Sequence, residues 1–376
     1  MRGFDVVVLG GGPAGCVTAM LLARQGIWVA ILDRPPRRPF SIGETLPPQA
    51  TRLLAELDLT DRFRRIDPLP SSGIISIWGS ETPQVNDFIF SVHGNGWHIE
   101  RSAFNRMLVD AAADAGAAFF TDVRIDNCAQ NAAGWSIGVS TPVRPDTLHS
   151  RFIVDARGRA AGGTFGFPGR VVLDSLIAVA GVTTPQRGAV PSDFTLIEAV
   201  EPGWFYSALL PCGKYIVTLM TDADMYSSRR AQSQDYLKIQ LSQAPRTRER
   251  IEIAPERAVL FSAVASLREP ARHSNWLAVG DAAMSYDPLS GQGLWGAMRM
   301  AQRAASAIVT ALEGSHDHAS LTAYERENRE RFANYVHAHT GYYRSERRWP
   351  ESAFWKRRLE APVVSLPSLL QRSSRA

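Results

Sequence analysis

Three glycines near the start of the chain have the spacing G-x-G-x-x-G: Gly10, Gly12 and Gly15. In such a turn the first glycine permits the bend, the second lets the backbone approach a pyrophosphate, and the third brings helix and strand together. A helix opening at Pro13-Ala14 would offer free N–H groups to the phosphates. Asp33 ends the next apolar run, about 20 residues on, where an acid holds a ribose hydroxyl. Together these residues predict a dinucleotide site.

Two further turns place acids directly after apolar runs. Residues 152–154 lead to Asp155, and Gly158 lies in the turn that follows. Residues 276–279 lead to Gly280 and Asp281, and a loop that opens a helix then contains Asp287, Pro288, Gly291, Gln292 and Gly293. An acid in this position can hold a ribose or polyol hydroxyl, and the N–H groups of a helix start can face phosphate or an electron-rich ring. In this order, the three motifs are a much stronger signal than any one of them.

Strands and helices alternate around the first motif, because apolar runs at 4–9 and 27–32 flank a helical pattern. The region 171–265 is mostly β, with strands predicted at 171–182, 194–200, 203–210 and 215–220 and a polar helix at 228–243. A buried strand at 276–279 returns to the first domain before helices at 291–312 and 321–339. The sequence predicts an α/β fold with a discontinuous Rossmann-like nucleotide-binding domain (1–72, 100–170 and 266–313). A mixed β-sheet substrate domain (73–99 and 171–265) is inserted into it, and a helical C-terminal region with a wrapping tail (314–376) follows.

Several local features are predicted less directly. Short strands are expected at 74–78, 88–90 and 97–99, and Ser102 is expected to cap a helix that runs to about Ala115. The last 35 residues, which contain Pro350, Pro362 and Pro367, are expected to wrap irregularly over the body. An excess of basic residues after Tyr324 is either a docking surface for an acidic partner or a solvated tail.

Composition excludes several classes of protein. The chain has 376 residues, 45% of them hydrophobic, and a net charge of +4. The three cysteines, Cys16, Cys128 and Cys212, are far apart and lack metal-binding spacing. No apolar run approaches the ~18 residues of a membrane span. We therefore expect no metal, no nucleic-acid partner, no membrane span and a cytoplasmic location.

The three motifs together resemble the FAD-dependent aromatic hydroxylase superfamily, whose fold is that of para-hydroxybenzoate hydroxylase, over about residues 4–313. The resemblance implies FAD as the cofactor, with the glycine turn and Asp33 at its ADP half, Asp281 at the ribitol and the 287–293 loop along the isoalloxazine. Arg101 is expected near the flavin and pyrophosphate. The expected FAD-binding residues are Gly10, Gly12, Pro13, Ala14, Gly15, Asp33, Arg34, Glu44, Thr45, Arg101, Asp155, Gly158, Gly280, Asp281, Pro288, Gly291, Gln292 and Gly293.

Residues 43–48, 203–207 and 220–224 resemble the tryptophan-halogenase-like branch of this superfamily. Halogenation is nevertheless disfavoured, because true flavin halogenases need a lysine in the N-terminal third and no lysine precedes Lys214. An arginine does not replace it readily, since its guanidinium is essentially never deprotonated. The tail at 342–358 resembles the LodB/GoxB type and the tryptophan-dihydroxylating flavoproteins that mature tryptophylquinone enzymes. This resemblance implies a partner enzyme subunit whose tryptophan is oxygenated towards cysteine tryptophylquinone.

The implied activity is a monooxygenase that hydroxylates an aromatic ring, with O₂ as co-substrate and NAD(P)H or another donor as reductant. Its pocket must exclude water, place the ring and stabilise developing charge. The candidate residues for this pocket are Glu44, His93, His98, Trp204, Tyr206 and Pro288. His98, Trp204 and Tyr206 equally fit ordinary packing. The alternatives are a small-molecule aromatic hydroxylase, an FAD-dependent reductase of geranylgeranyl-reductase type and a non-catalytic flavin-binding partner.

Overall fold

A computed structural model describes residues 2–34, 38–141, 144–161, 164–227, 233–270, 275–314 and 318–360. The strands in these ranges are β1 Arg2–Leu9, β2 Val29–Leu32, β3 Thr45–Leu46, β4 Leu69–Ser71, β5 Gly73–Ile77, β6 Gln84–Asp87, β7 Gly96–His98, β8 Ala118–Phe120, β9 Arg124–Asn131, β10 Gly134–Ser140, β11 Pro145–Asp155, β12 Arg170–Val172, β13 Leu176–Thr183, β14 Thr195–Val200, β15 Gly203–Leu209, β16 Tyr215–Asp222, β17 Ala258–Ser262, β18 Ser266–Arg268, β19 Trp276–Ala278 and β20 Met284–Ser285. The helices are α1 Pro13–Arg24, α2 Ala50–Glu56, α3 Thr60–Arg65, α4 Arg101–Asp114, α5 Ala223–Ser227, α6 Ser233–Leu241, α7 Pro245–Glu249, α8 Gly293–Glu313, α9 Ala319–Ser345 and α10 Ala353–Glu360.

The first large sheet carries the glycine turn and has the strand order β8-β2-β1-β11-β10-β9. Strand β19 pairs with the last residues of β11, beyond the end of β10 and on the edge opposite β1. Strands β8, β2, β1, β11 and β19 are parallel, whereas β10 is antiparallel to both of its neighbours, β11 and β9. Its central strands are continuous apolar runs, which is the pattern of parallel strands that are covered on both faces. Val6 to Leu9 are accordingly buried. The late strand β19 joins this sheet, so its strands come from separate stretches of the chain.

The second large sheet has the order β17-β13-β16-β15-β14-β5-β6. Its strands are antiparallel neighbours except for the parallel pair β14 and β5. The predicted fold class, an α/β chain with an inserted mixed sheet and a helical C-terminal region, is confirmed. The strands of this sheet come from 73–87 and 176–262, inside the segments predicted for the substrate domain. The exact domain boundaries stay a prediction.

Several local predictions were wrong. Residues 88–90 form a 3-10 turn rather than a strand, and Ile89 and Phe90 are 77% and 89% exposed. The predicted strand at 171–182 is two strands, β12 and β13, in different sheets. Ser102 lies inside α4, whose N-terminus at Glu100 has no side-chain cap. The predicted polar helix at 228–243 is observed as α6 from Ser233, and residues 228–232 lie outside the described ranges.

The C-terminal region is helical well beyond the predicted end of its first helix. Helix α9 continues to Ser345 and α10 follows, so the expectation of an irregular tail is wrong for residues 340–345 and 353–360. Pro362 and Pro367 lie outside the described residues. Arginines here pair with acids of the same chain: Arg357 and Arg358 with Asp222, and Arg348 with Glu346. No helix in the described ranges combines the length and apolar character needed to cross a bilayer.

Candidate active site

A cavity of about 420 Å³ lies where the carboxyl ends of the parallel strands meet the face of the second sheet. Gly10, Ala156 and Val279 follow β1, β11 and β19 and line one side of it. Tyr206 and Met220 line the other side from β15 and β16. The carboxyl edge of a parallel sheet is where α/β folds bind their ligands. Most of the predicted site residues line this cavity: Gly10, Gly12, Pro13, Ala14, Asp33, Glu44, Thr45, Arg101, Gly158, Tyr206, Asp281, Pro288, Gly291 and Gly293.

The glycine turn is shaped for close backbone approach. Gly10 has φ +110, and a Cβ added there would lie 2.6 Å from the carbonyl oxygen of Ala156. A Cβ on Gly15 would collide with the carbonyl oxygen of Gly10. A Cβ on Gly12, by contrast, would meet nothing within 4 Å, although Gly12 lines the cavity. Gly10 and Gly15 therefore hold the turn together, and Gly12 leaves room for a ligand.

Two helices begin at the cavity without side-chain caps. The N-caps Gly12 of α1 and Gln292 of α8 make no side-chain capping bond. Uncapped N–H groups and the positive end of the helix dipole favour an anionic or electron-rich ligand. Asp33 and Asp281 stand on the same lining, and Asp281 also pairs with Arg159 at 3.1 Å. This donor set fits phosphates at the helix starts and hydroxyls at the two carboxylates.

Glu44 is the most unusual group of the site. It is 5% exposed, and its Oε1 has no hydrogen-bond partner in the described structure. Burial raises the pKa of Glu44 to about 7, although its own backbone amide, the amide of Gly43 and the Arg101 guanidinium all act to lower it. Arg101 is held beside it by donating from Nη1 to the carbonyl oxygen of Ile42 at 3.0 Å. An unpaired acceptor buried in a cavity is costly unless a ligand satisfies it.

A chain of hydrogen bonds leads from the cavity into the protein. Strand pairing places Thr45 opposite His98, and Thr45 Oγ1 lies 3.1 Å from His98 Nδ1 and 2.6 Å from Tyr206 Oη. His98 Nε2 lies 2.8 Å from the carbonyl oxygen of Asp193, which only accepts hydrogen bonds. Burial lowers the pKa of His98, which favours the neutral ring. Nε2 then donates to Asp193, Thr45 donates to Nδ1, and Tyr206 donates to Thr45. The lone pairs of the Tyr206 oxygen are left for a donor in the cavity.

The loop at Asp287 is tied to the C-terminal helix α9. Asp287 is 1% exposed and accepts hydrogen bonds from Leu289 N at 2.8 Å, His339 Nε2 at 3.0 Å and Tyr343 Oη at 2.8 Å. Burial acts to raise the pKa of Asp287, but these hydrogen bonds hold it below its ordinary value. In the sequence, Asp287 belongs to the 287–293 loop and Tyr343 to the tail at 342–358. Nothing in their spacing indicated that they meet.

Some predicted site residues lie outside the cavity lining: Gly15, Arg34, His93, His98, Asp155, Trp204, Gly280 and Gln292. The carboxylate of Asp155 is fully buried and paired with Arg157 at 2.9 Å and Arg268 at 3.3 Å, so the expectation that it faces the cofactor is not met. Trp204 is 1% exposed, and its Nε1 donates to Tyr343 Oη at 2.8 Å. Asp155 and Trp204 therefore support the site without lining the cavity.

Gly280 and His98 contribute indirectly. A Cβ on Gly280 would lie 2.6 Å from Cβ of Ala14, so this glycine lets the loop after β19 approach α1. His98 reaches the cavity only through Thr45. Sequence reasoning missed Arg159, Tyr286 and Met220, which also line the cavity. Arg159 directly follows Gly158, Tyr286 directly precedes Asp287, and Met220 opens the 220–224 stretch, but nothing in these stretches marks the three side chains as facing the cavity.

Comparisons with known proteins agree with this geometry. The family described as FAD binding domain matches residues 3–339. The putative FAD-dependent oxidoreductase LodB of Marinomonas mediterranea is 27% identical over 364 residues, which cover 95% of this chain and 97% of that protein.

Two solved structures share the fold. The myxobacterial chondrochloren halogenase CndH has a TM-score of 0.85 and 23% identity, covering 95% of this chain and 86% of its own. The peptidyl tryptophan dihydroxylase QhpG has a TM-score of 0.72 and 24% identity, covering 96% and 80%. The predicted superfamily, fold and cofactor are confirmed: the cavity residues fit FAD, and the chain is similar throughout its length to an FAD-dependent oxidoreductase.

Proposed function

The chain belongs to the FAD binding domain family, and from this premise we propose that it hydroxylates an aromatic ring, a tryptophan side chain of a partner protein. Bound FAD, once reduced, supplies the activation of O₂. Two similarities support a tryptophan as the target. The relative LodB matches almost end to end, and QhpG, described as essential for tryptophylquinone cofactor biogenesis, shares the fold.

The observation that carries the proposal is the unpartnered, buried Oε1 of Glu44 at the cavity. Hydroxylating an aromatic carbon requires a base that removes the proton from that carbon once oxygen has been added. A carboxyl whose pKa is raised to about 7 is suited to accept this proton near neutral pH. Arg101 stands close enough to lower that pKa and so stabilises the ionised form before the reaction.

Tyr206 is suited to orient the ring. Because its hydroxyl donates to Thr45, its oxygen presents an acceptor to the cavity, which matches the N–H of an indole. The same oxygen would meet the hydroxyl of a phenol as an acceptor too, so the two rings are distinguished by shape and by Glu44. Burial and the nearby Glu44 raise the pKa of Tyr206, which keeps the phenol protonated and the direction of the chain fixed.

Halogenation is the competing chemistry suggested by the shared fold. The described lining of the cavity contains no lysine. Lys214 lies in the turn between β15 and β16, Lys238 in α6 and Lys356 in α10. A lysine beside the site is the residue that the resemblance to halogenases requires. Its absence from the lining supports oxygen transfer to the ring itself.

The test traces oxygen atoms from O₂ into the product. The holoenzyme is reduced and exposed to ¹⁸O₂ with a tryptophan-containing peptide, free tryptophan or indole, and the products are analysed by mass spectrometry. We expect ¹⁸O in the peptide's tryptophan and far less in free tryptophan. Incorporation into the free ring alone would make the protein a small-molecule hydroxylase, and reduction of a double bond with no ¹⁸O in any product would refute oxygen insertion.

Two variants sharpen this test. Glu44→Gln keeps the shape of the side chain but removes the base, so we expect ¹⁸O incorporation to fall by about 10²-fold. Glu198→Gln is the matched control, because Glu198 is also buried but is bonded to Arg246 N and Thr247 away from the cavity. Equal effects of the two substitutions on incorporation would show that Glu44 acts only on the fold.

A further inference from the structure

Six aromatic side chains form a continuous cluster between the cavity and the surface, which we call the aromatic chain: Tyr343, Trp204, Trp78, Trp355, Trp349 and Tyr342. Each member is a tryptophan or tyrosine, the two aromatic residues that can give up an electron under biological conditions. Phenylalanine would fill the same volume without that property. Phe354 also packs against this cluster, with its ring centroid 6.2 Å from that of Tyr343 and 5.0 Å from that of Trp355. The feature that calls for an explanation beyond packing is therefore the unbroken succession of tryptophan and tyrosine rings from Tyr343 to the surface.

The inner end of the aromatic chain is coupled to the cavity through a hydrogen bond. Tyr343 is 1% exposed and donates from Oη to Asp287 Oδ2 at 2.8 Å. Asp287 lines the cavity, and its carboxylate is kept ionised by hydrogen bonds from His339 and Leu289. A tyrosine loses an electron much more readily when a base takes its proton at the same time. Asp287 is placed to be that base.

The route outward consists of short steps between rings. The ring centroids of Tyr343 and Trp78 lie 5.5 Å apart, and those of Trp78 and Tyr342 lie 5.1 Å apart. Tyr342 is 44% exposed and so ends the route in solvent. A second branch leads from Trp78 to Trp355 at 5.2 Å and on to Trp349 at 6.1 Å, where the two rings are stacked. Gaps of this size allow fast electron transfer between neighbouring rings.

We propose that the aromatic chain transfers oxidising equivalents from the cavity to the surface, by electron transfer in the opposite direction, when no ring substrate is present. The inference rests on the proposed function, because O₂ activation without a substrate yields partially reduced oxygen species that act as one-electron oxidants. Such an oxidant takes one electron from Tyr343, whose phenolic proton passes to Asp287. Trp78 then reduces the Tyr343 radical, and the proton returns from Asp287 to Tyr343.

The last step occurs at the surface. Tyr342 gives an electron to the oxidised Trp78 and releases its phenolic proton to water. The exposed Tyr342 radical is then reduced by a thiol, which supplies one electron and one proton and goes on to form a disulfide. Each oxidising equivalent thus leaves the cavity at the cost of one thiol hydrogen, and cavity residues such as Met220 and Tyr206 are spared.

The test uses light, so that it does not depend on oxygen chemistry. The oxidised holoenzyme is illuminated anaerobically, since photoexcited flavin oxidises nearby aromatic side chains whether or not the protein is a hydroxylase. A spin trap is added, and trapped radicals are located by peptide mass spectrometry and followed by electron paramagnetic resonance. We expect the trap mainly on Tyr342 in the wild-type protein and a severalfold loss of that adduct in Trp78→Phe. The ¹⁸O₂ experiment reports separately on the proposed function.

The matched control is Trp135→Phe. Trp78 and Trp135 are both buried, and each donates from Nε1 to a backbone carbonyl, at 3.0 Å and 2.8 Å. Tyr342→Phe is a second variant that alters only the exposed end and should move the adduct to the other branch at Trp349. An adduct on Tyr342 that is unchanged in Trp78→Phe, or lost equally in Trp135→Phe, would overturn the proposal. So would a wild-type protein trapped mainly at Met220 or Tyr206.

Discussion

Replacing Glu44 by glutamine is expected to stabilise the flavin-free protein as the pH rises. The folded protein holds the Glu44 carboxyl at a pKa of about 7, whereas the unfolded chain has the ordinary value of 4.5. A group whose pKa is raised by folding stabilises the fold fully below its unfolded pKa and loses that contribution as the pH rises through the folded pKa. The wild-type protein should therefore weaken between pH 4.5 and 7, and Glu44→Gln should not.

The size of the effect follows from the difference between the two pKa values. At 1.36 kcal/mol per pKa unit, a rise from 4.5 to about 7 corresponds to about 3 kcal/mol once both states are ionised. The assay is urea unfolding of both proteins without flavin at pH 5, 6, 7 and 8, with the free energy of unfolding taken by linear extrapolation. The difference in free energy of unfolding, Glu44→Gln minus wild type, is measured from its value at acidic pH, where Glu44 is protonated in both states. We expect it to grow by about 1 kcal/mol at pH 5 and by about 3 kcal/mol at pH 8.

Glu198→Gln again serves as the control. Its carboxylate accepts hydrogen bonds from Arg246 N at 3.0 Å and from the Thr247 amide and hydroxyl, each at 2.7 Å. Glutamine keeps one acceptor oxygen but replaces the other by an NH₂ group that faces a donor, which should destabilise the protein by about 1–3 kcal/mol. A difference between Glu44→Gln and the wild-type protein that stays constant from pH 5 to pH 8 would refute the reasoning, because it would mean that Glu44 titrates equally in both states.

Three further substitutions test other parts of the structure. Gly15→Ala should abolish FAD binding, measured as bound flavin absorbance, because its Cβ collides with the backbone of Gly10, while Gly12→Ala should weaken FAD binding without lowering the melting temperature. Asp155→Asn removes the carboxylate that pairs with the buried Arg268 and the partly buried Arg157, and it should cost about 3 kcal/mol in urea unfolding. A loss of FAD with unchanged stability would contradict the structural role of Asp155. Phe90→Ala should change stability by less than about 0.5 kcal/mol because the ring is 89% exposed, and a loss like that of a core phenylalanine would mean that the 3-10 turn is wrongly described.

The nucleotide end of the site was predictable from the sequence because all of its requirements are local. A glycine with positive φ, a helix start and an acid after a strand leave a pattern within about 30 residues. Gly10, Gly12 and Asp33 accordingly line the cavity, and that they hold the nucleotide stays a prediction. The late strand at Trp276 was also predictable, since only a buried parallel strand explains an apolar run followed by Gly280-Asp281.

The chemical end was less predictable because its contacts join distant segments. Asp155 has the same local pattern as Asp281, yet Arg268, more than a hundred residues later, determines that Asp155 is buried in an ion pair. Trp204 and Tyr206 lie on the same face of β15, and Trp204 is covered by Trp78 and Tyr343, which come from distant parts of the chain. Residues 88–90 have a strand-like composition, but they follow edge strand β6, where only Phe88 turns into the protein and Ile89 and Phe90 stay exposed.

The hydrogen bonds between Asp287 and helix α9 also determine when the site is complete during synthesis. The glycine turn, α1 and Asp33 leave the ribosome well before the Asp287 loop. The Asp287 loop obtains its partners His339 and Tyr343 only when α9 has emerged, more than 300 residues later. A nascent chain therefore has the parts that hold the pyrophosphate long before it has the support for the ring end. A ribosome that stalls before α9 therefore leaves a site whose Asp287 loop lacks two of its partners.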